Sequence, residues 1–293
     1  HCCIKKDTAT TGLMVAVDAT CSGLQILAGL AKDRSTAELV NVVPSSKPSD
    51  AYKAVADKAK EFLPSYMHHW MDRSVCKRTV MTIPYNATKD SSRKYIREAL
   101  LEKKIDPTTD ELTQIVNAVY QSMDTIVPGP MQVMRWIKKH VGLYIRNGAK
   151  EVQWVTPSGF IVNQRRDNIE TKQMELQLLG RTQVRLPTGK STPSPTKHKS
   201  STAPNYIHSF DASILHRSFT QFDEPFTVIH DSVLCRAGDM GTLNRLVRET
   251  YTNIFSEKCW LSEFAETINA SEPPPIVGTL DPKVVSNSTY FFC

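Results

Sequence analysis

Two short apolar runs that lie far apart in the chain each lead to an aspartate, and this pattern restricts the fold more than any other. Residues 13–17 (LMVAV) lead into Asp18, while the β-favouring runs 226–229 and 233–235 meet around Asp231 as a hairpin would present them. Helical spacing of apolar residues fills most of the sequence between them. Because strands come in scattered pairs and do not alternate strictly with helices, the pattern predicts an α+β fold with a small antiparallel sheet.

Helical periodicity accounts for much of the remaining chain. It predicts helices over 23–33, 73–83, 109–126 and 130–146, two more that begin near 49 and 205, and a last one containing 243–254. The sequence Thr-Pro-Ser-Gly between residues 151–155 and 160–163 predicts a second hairpin. Residues 187–204 contain four prolines and almost no apolar side chain, so their composition predicts a mobile surface loop.

Composition excludes several classes of protein. No window approaches the roughly 20 consecutive apolar residues of a membrane-spanning helix, and the first residues lack the pattern of a secretory signal. The seven cysteines include no C-x-x-C pair and no histidines lie at zinc-finger spacing from them, so reduced thiols are expected. A net charge of +6 favours an anionic partner only weakly. Because the first residue is His1 and not Met, the chain is expected to be processed, trimmed or cut from something longer.

The two aspartates are candidates for metal binding. Carboxylates held at strand ends in distant segments can bind a pair of Mg²⁺ ions, which prefer oxygen ligands and keep positions open for phosphate oxygens. For Asp18 or Asp231 taken alone, the commoner meaning is an aspartate that ends a strand or caps a turn.

A row of side chains in residues 72–86 (DRSVCKRTVMTIPYN) favours the functional interpretation of the two aspartates over the structural one. Arg73 and Lys77 are four residues apart and project from the same side of a helix, and Met81 and Tyr85 continue the row. Two cations in line with a thioether and an aromatic ring can hold a triphosphate at one end and a sugar or base at the other. Taken alone, such a row is more often a solvated basic face over a core stripe.

Three motifs in series carry a family resemblance. DATCSGLQ at 18–25, the basic segment at 73–85 and IHDS at 229–232 resemble motifs A, B and C of the single-subunit, bacteriophage-type DNA-dependent RNA polymerases, which include phage and mitochondrial enzymes. Further similarity lies in AELVNVVPS, VTPSGF, APNYIHS and the final STYFFC. The resemblance covers nearly the whole chain and implies DNA-templated RNA synthesis.

The resemblance implies a right-hand polymerase fold, mostly helical, with a small antiparallel palm sheet that carries the catalytic aspartates. Residues 1–48 and 205–293 would belong to the palm, and residues 49–150 to the fingers. Residues 151–204 would form a hairpin and a mobile loop that read the promoter. Since the chain begins just before motif A, the N-terminal domain, the thumb and the first part of the palm are expected to be missing.

The resemblance also implies a two-metal reaction that joins a nucleoside triphosphate (NTP) to an RNA 3′-hydroxyl. Asp18, Asp231 and the carbonyl of Ala19 would bind two Mg²⁺ ions. Lys77 would meet the triphosphate and protonate the pyrophosphate leaving group, and Arg73 would support the phosphates.

Further residues would recognise the sugar and the rest of the nucleotide. Tyr85 would lie beside the ribose and template, where the family discriminates ribose from deoxyribose. His208 would contribute from the opposite side, and Arg78 and Met81 would add substrate contacts.

Contacts with the nucleic acids are implied in two regions. His230 and Ser232 would support the primer end, although a histidine at such a turn is usually satisfied locally. Promoter DNA would be read by five basic residues: Arg165, Arg166, Lys172, Arg181 and Arg185. A basic surface hairpin that reads no sequence is an equally common meaning of that stretch.

Two positions depart from the family pattern. Asn86 stands where the family usually has glycine after the tyrosine, and asparagine accepts left-handed backbone angles more readily than most residues. Phe210 replaces a polar residue that is common in the segment around His208, which removes a group for minor-groove contacts.

Two other functions compete with this interpretation. A family A DNA polymerase is disfavoured, because its motif A expects a glutamate and its motif C expects His-Asp-Glu, where this chain has CSGLQ and Ser232. The alternative from another class is a non-catalytic nucleic-acid-binding fragment of a split polymerase. Expected partners are a DNA template and promoter, RNA product, NTPs and the missing N-terminal half, with no membrane. The expected location is the cytoplasm of a phage-infected host cell, with the mitochondrion as the alternative.

Overall fold

The structure of the chain, a computed structural model, describes residues 12–176 and 182–293. These residues form ten α-helices and seven β-strands, and the strands pair antiparallel in three small sheets. The predicted α+β class is therefore confirmed. No helix among the described residues is long and apolar enough to cross a membrane.

A three-stranded sheet brings together segments from opposite ends of the chain. Its strand order is β1 (Met14–Val17), β7 (Ser232–Arg236) and β6 (Phe226–Ile229). In the β1–β7 ladder Val17 is paired with Val233, and the predicted hairpin between β6 and β7 is present, with a turn of two residues.

Helices supply most of the hydrophobic core. They are α1 (Ser22–Ala31), α2 (Arg34–Leu39), α3 (Ala51–Lys60), α4 (Arg73–Thr82), α5 (Lys89–Glu102), α6 (Thr109–Ile126), α7 (Pro128–Arg146), α8 (Pro195–Phe219), α9 (Met240–Glu257) and α10 (Trp260–Thr267). Side-chain caps begin several of them: Asp50 caps α3, Asp72 caps α4, and Thr108 forms a capping box with Glu111 at α6.

Three of these helices, α2, α5 and α10, were not predicted. Helices α2 and α10 span 6 and 8 residues, too few for a clear helical period. Helix α5 has 14 residues but buries only Ser92, Ile96 and Leu100, so its apolar stripe is sparse in the sequence.

Two further hairpins lie between α7 and α8. The first, β2 (Val152–Val155) with β3 (Ile161–Gln164), turns at Thr-Pro-Ser-Gly as predicted. The second, β4 (Asp167–Leu176) with β5 (Thr182–Pro193), is a longer two-stranded ribbon whose described side chains are mostly exposed. The predicted DNA contact Arg181 lies outside the described residues.

The prediction of a mobile loop over residues 187–204 is wrong. Strand β5 continues to Pro193, and α8 begins at Pro195 after the N-cap Ser194. Proline is tolerated in these places, because a two-stranded ribbon leaves strand edges unpaired and the first helical residue needs no hydrogen-bond donor. Composition alone does not distinguish these positions from a loop.

Candidate active site

A cleft of about 720 Å³ lies between α4, α8, the β1–α1 junction and the β6–β7 turn. Nine of the predicted site residues line it: Asp18, Ala19, Arg73, Lys77, Met81, Tyr85, His208, His230 and Asp231. Six predicted residues with described side chains do not line it: Arg78, Arg165, Arg166, Lys172, Arg185 and Ser232. The structure therefore gathers segments from most of the length of the chain at one place.

The sheet register sets Asp18 beside Asp231. Because Val17 is paired with Val233, the residue after β1 lies next to the turn that precedes β7. Burial and the charge of Asp231 raise the pKa of the Asp18 carboxyl, while the Ala19 N–H and the Lys77 ammonium act in the opposite direction. The two carboxylates thus share one electrostatic environment.

Residues near the end of the chain hold the backbone of Asp18. The N–H of Asp18 donates to the Cys293 carbonyl and the N–H of Cys293 donates to the Asp18 carbonyl, each at 3.1 Å. The neighbouring Phe292 is buried and forms a bridge with Ala19. These contacts restrict the position from which the Asp18 carboxylate enters the cleft.

Helix α4 presents its predicted row to the cleft. Arg73, Lys77 and Met81 recur every four residues along α4 and all line the cleft. The Arg73 Nε donates to Asp50 Oδ2 at 2.6 Å, and the guanidinium lies over the Tyr52 ring, 5.4 Å from its centroid. Arg73 is therefore fixed in place.

Arg78 points elsewhere. Its guanidinium carbon lies 4.1 Å from the centroid of the Tyr95 ring, and its Nη1 donates to Glu98 Oε2 at 2.7 Å. Both partners belong to α5. The step of one residue along α4 turns this side chain away from the row that starts at Arg73.

Tyr85 is enclosed on several sides. Its ring stacks on His208 with centroids 4.4 Å apart and planes 16° apart. A Cβ at Gly23 would lie 3.0 Å from Tyr85 Cζ, so the ring packs closely against this glycine and a side chain there would press on it. The hydroxyl lies 3.1 Å from Ser22 Oγ and donates to Asp211 Oδ2 at 3.3 Å.

The two aromatic groups are uncharged near neutral pH. Burial and the charge of Asp211 raise the pKa of Tyr85. Burial lowers the pKa of His208, although the charge of Asp231 opposes this effect. The stacked pair therefore presents a neutral wall opposite the cations of α4.

Sequence reasoning missed Asp211 and Ser22. Burial and the charge of Asp231 raise the pKa of Asp211 to about 7. A signal was available, because Asp211 follows His208 by three residues and so shares its helix face. Ser22 follows Asp18 by four residues across a change from strand to helix, where no single periodicity applies.

The β6–β7 turn places His230 in the cleft in a left-handed conformation, with φ 58°. A non-glycine residue in this region costs roughly 1 kcal/mol or more. Ser232 instead contacts a neighbouring strand, because its hydroxyl donates to the Val17 carbonyl at 3.3 Å. It ties β7 to β1 next to both aspartates.

The two departures from the family pattern have structural explanations. Asn86 has φ 64°, a left-handed conformation that asparagine accepts more readily than most residues. The ring of Phe210 is buried among aromatic residues, stacked 5.7 Å from Phe255 and edge-on to Trp260 at 5.6 Å. Phe210 is thus a core residue.

The basic residues of the β4–β5 ribbon lie apart from the cleft and do not form one patch. Lys172 is paired with Leu186, so the adjacent Arg185 projects from the opposite face. Arg165 is bonded to Asp167, with Nε to Oδ2 at 2.9 Å. The backbone N–H of Arg166 donates to the buried His198 at 3.2 Å, which anchors the base of the ribbon to α8.

The donor set at the sheet suits Mg²⁺. Among the described residues, no group of three or more His, Cys, Asp or Glu side chains could hold a metal ion by itself. In phosphoryl-transfer sites, however, Mg²⁺ is bound by one or two carboxylates together with substrate phosphates. Asp18 and Asp231 line one cleft and offer oxygen donors, so they fit a metal whose coordination the substrate completes.

The family model and the curated relatives that match this chain agree on one family. The model of the family described as DNA-dependent RNA polymerase matches residues 4–273. The mitochondrial DNA-directed RNA polymerase of Homo sapiens is 28% identical over 96% of this chain and 25% of its own length. The DNA-directed RNA polymerase of Pseudomonas phage phiKMV is 26% identical over 97% of this chain and 38% of its own length. This chain therefore spans a quarter to about two fifths of these curated relatives.

Among solved structures, the POL domain of Pol1 from M. smegmatis, in complex with DNA primer-template and dNTP, matches with a TM-score of 0.42. The match has 18% sequence identity and covers 82% of this chain and 36% of that chain. This likeness is too weak to establish a shared fold.

Proposed function

This chain belongs to the DNA-dependent RNA polymerase family, and from that premise we propose that its cleft is the nucleotidyl-transfer site of DNA-templated RNA synthesis. One observation carries the proposal. Two carboxylates from distant segments, Asp18 and Asp231, share a cleft with the cations Arg73 and Lys77 of one helix face. A volume of about 720 Å³ is also within the usual range for a small-molecule site.

The proposed reaction needs mainly positioning and charge stabilisation. The 3′-oxygen of an RNA primer attacks the α-phosphorus of an NTP, and pyrophosphate leaves. Two Mg²⁺ ions, held by Asp18, Asp231 and the carbonyl of Ala19, would supply charge stabilisation for the attacking and leaving oxygens. The protein groups complete the site around them.

Lys77 and Arg73 would hold the triphosphate. Lys77 makes no ion pair among the described residues, so its ammonium is available to bind phosphate and to donate a proton to the pyrophosphate oxygen. Arg73 is bonded through Nε, which leaves its terminal nitrogens for a phosphate oxygen.

Tyr85, His208 and Met81 would contact the nucleoside. The stacked rings of Tyr85 and His208 form a flat apolar wall with polar groups at its edges. Met81 is 43% exposed at the end of the α4 row, where a flexible thioether can pack on a base or sugar. This part of the cleft would favour ribonucleotides. His230 would support the primer end.

The remaining assignments follow from family membership. Helices α3 to α7 would form the fingers, the three-stranded sheet with α1, α8 and α9 the palm, and the β4–β5 ribbon would contact promoter DNA. A DNA template, RNA product and the N-terminal part of a longer polymerase would be the partners. Because the relatives include phage and mitochondrial enzymes, we propose action in a phage-infected host cell, with the mitochondrion as the alternative.

Primer extension tests the proposal. The 293-residue chain is mixed with an RNA primer on a DNA template, NTPs and Mg²⁺. We expect Mg²⁺-dependent addition of ribonucleotides, loss of this activity in Asp231→Asn, and parental activity in the exposed control Asp223→Asn. Equal activity in parent and Asp231→Asn would contradict the proposed site.

A non-catalytic nucleic-acid-binding fragment is the second candidate, because the chain spans only 25–38% of the relatives above. The two candidates differ in two measurements. A binding fragment would retain the primer–template in a filter-binding assay, yet it would show neither extension nor Mg²⁺-dependent binding of an NTP. That combined result would replace the enzyme proposal.

A further inference from the structure

Helix α8 adds a third acidic group to the cleft, besides Asp18 and Asp231. Asp211 lies three residues after His208 and lines the cleft with it. Its Oδ2 accepts a hydrogen bond from the Tyr85 hydroxyl at 3.3 Å, and Ser22 Oγ lies 3.1 Å from the same hydroxyl. The proposed reaction assigns no role to Asp211.

We propose that Asp211 is a positioning residue for ribonucleotide selection: it accepts the hydrogen of the Tyr85 hydroxyl and leaves the phenol oxygen to accept from a 2′-hydroxyl. This inference rests on the proposed function of the cleft. It concerns how the sugar is recognised and adds no group to the bond-forming chemistry.

The chemistry of the two groups sets the direction of this hydrogen bond. A phenol has one hydrogen to donate and lone pairs with which to accept, whereas an ionised carboxylate can only accept. Once the hydrogen points to Asp211, the Tyr85 oxygen faces its other neighbours as an acceptor. A ribose 2′-hydroxyl can donate to it, while deoxyribose lacks the donor.

Packing restricts the orientation of the Tyr85 ring. The stack on His208 restricts one face, and the missing Cβ of Gly23 lets the ring approach α1 closely. The hydroxyl is therefore held near Asp211 and Ser22 by the position of the ring. What Asp211 adds is the orientation of a single hydrogen.

An aspartate at position 211 is unfavourable for the stability of the fold. It is partly buried beside Asp231, and no cation is ion-paired with it in the part of the chain that the structure describes. Burying an unpaired carboxylate is unfavourable. A role at the Tyr85 hydroxyl explains why the group is there.

Selectivity kinetics test the inference. We compare kcat/KM for ATP with kcat/KM for dATP in single-nucleotide primer extension at about pH 8, where the carboxylate is ionised. The proteins are the parent, Asp211→Ala, Asp211→Asn, Tyr85→Phe and the double variant Tyr85→Phe/Asp211→Ala. The exposed Asp223→Ala is the matched control for loss of an aspartate.

The expected pattern is specific. Asp211→Ala lowers the ATP preference by about 3- to 10-fold, the effect of one hydrogen bond. Asp211→Asn keeps the preference within about 2-fold, because its amide oxygen still accepts. The double variant matches Tyr85→Phe, since Asp211 has no hydroxyl to orient there. Melting curves by circular dichroism establish that each variant is folded.

Three results would overturn the inference. The first is an unchanged ATP preference in Asp211→Ala. The second is a further loss of preference when Asp211→Ala is added to Tyr85→Phe, which would show that Asp211 acts independently of the hydroxyl. The third is loss of all extension in folded Asp211→Asn, which would place Asp211 in the chemistry itself. If instead the parent extends with neither nucleotide, the proposed function fails as well, so the two failures are distinguishable.

Discussion

The side-chain amide of Asn86 donates a 2.7 Å hydrogen bond to the carbonyl oxygen of Ser200 in α8. That carbonyl would normally accept from the residue four positions later, which is Pro204 and has no N–H. Asn86 thus supplies the donor that the proline removes. The bond ties the turn that follows α4 to α8, next to the stacked pair of Tyr85 and His208.

Replacing Asn86 with glycine should therefore destabilise the protein. Glycine adopts φ 64° without strain, so Asn86→Gly removes mainly the side-chain donor, and we expect a loss of about 0.5–1.5 kcal/mol in the free energy of unfolding. Urea denaturation measures it. The control is Asn269→Gly, an exposed left-handed asparagine, with an expected change below about 0.5 kcal/mol. Equal losses at both positions would refute the role of the Ser200 contact.

Lys77 and Arg78 are adjacent cations with opposite expected importance. Lys77 lines the cleft, whereas Arg78 is held by Tyr95 and Glu98 on α5. We expect Lys77→Ala to lower primer extension by at least about 100-fold and Arg78→Ala by less than about 3-fold. Steady-state kinetics of primer extension with one NTP measures kcat and KM for both variants. A large effect of Arg78→Ala on KM would mean that this side chain leaves α5 when substrate binds.

The buried Phe292 should matter for stability as well as for the cleft. It is 3% exposed next to the backbone bonds between Asp18 and Cys293. Phe292→Ala should cost about 3–5 kcal/mol of unfolding free energy, as for other buried phenylalanines, and should reduce extension. Phe160→Ala, at a side chain 67% exposed, is the matched control and should cost less than about 0.5 kcal/mol. Similar thermal unfolding of the two variants would contradict this expectation.

The pKa of Asp211 is raised in the folded protein. Replacing Asp211 with the neutral asparagine should therefore increase the free energy of unfolding by an amount that depends on pH. In the folded protein this pKa is about 7, against an ordinary value of 3.8, so folding favours the protonated carboxyl. That contribution is fully present below about pH 4 and is lost as the pH rises to about 7. The Asp211→Asn variant has no carboxyl at this position, so its stability does not fall in this way as the pH rises.

The unfolding free energy of Asp211→Asn minus that of the parent should therefore rise between about pH 4 and 7 and then level off. We expect a total rise of roughly 1–4 kcal/mol, measured by urea denaturation in the absence of Mg²⁺. A difference that stays flat across this range would show that Asp211 titrates normally. The exposed Asp223→Asn is the control variant.

Local patterns were sufficient for several parts of the molecule. Four-residue spacing placed Arg73, Lys77 and Met81 on one face of α4, and alternating β-favouring runs located the β6–β7 hairpin. These features depend on a residue and its near neighbours in the chain.

Composition failed where distant partners decide the outcome. The prolines of residues 187–204 suggested a loop, yet β5 is held by its ladder with β4, and the carbonyl that Pro204 leaves in α8 accepts from Asn86. Neither partner is visible within the segment itself. Strand pairing and long-range hydrogen bonds stabilise a strand and a helix in this segment, although its local composition favours a loop.

The sequence by itself determined which residues share a face or a turn, because helices and strands repeat at their own periods. Only the tertiary structure decided which of those faces meet. The β1–β7 register sets Asp18 next to Asp231, and the packing of α1 against α8, together with the stack of Tyr85 on His208, puts the Tyr85 hydroxyl near Asp211 and Ser22. The physical reason is that pairing register and core packing are settled by contacts between residues far apart in the chain, and no periodicity records them.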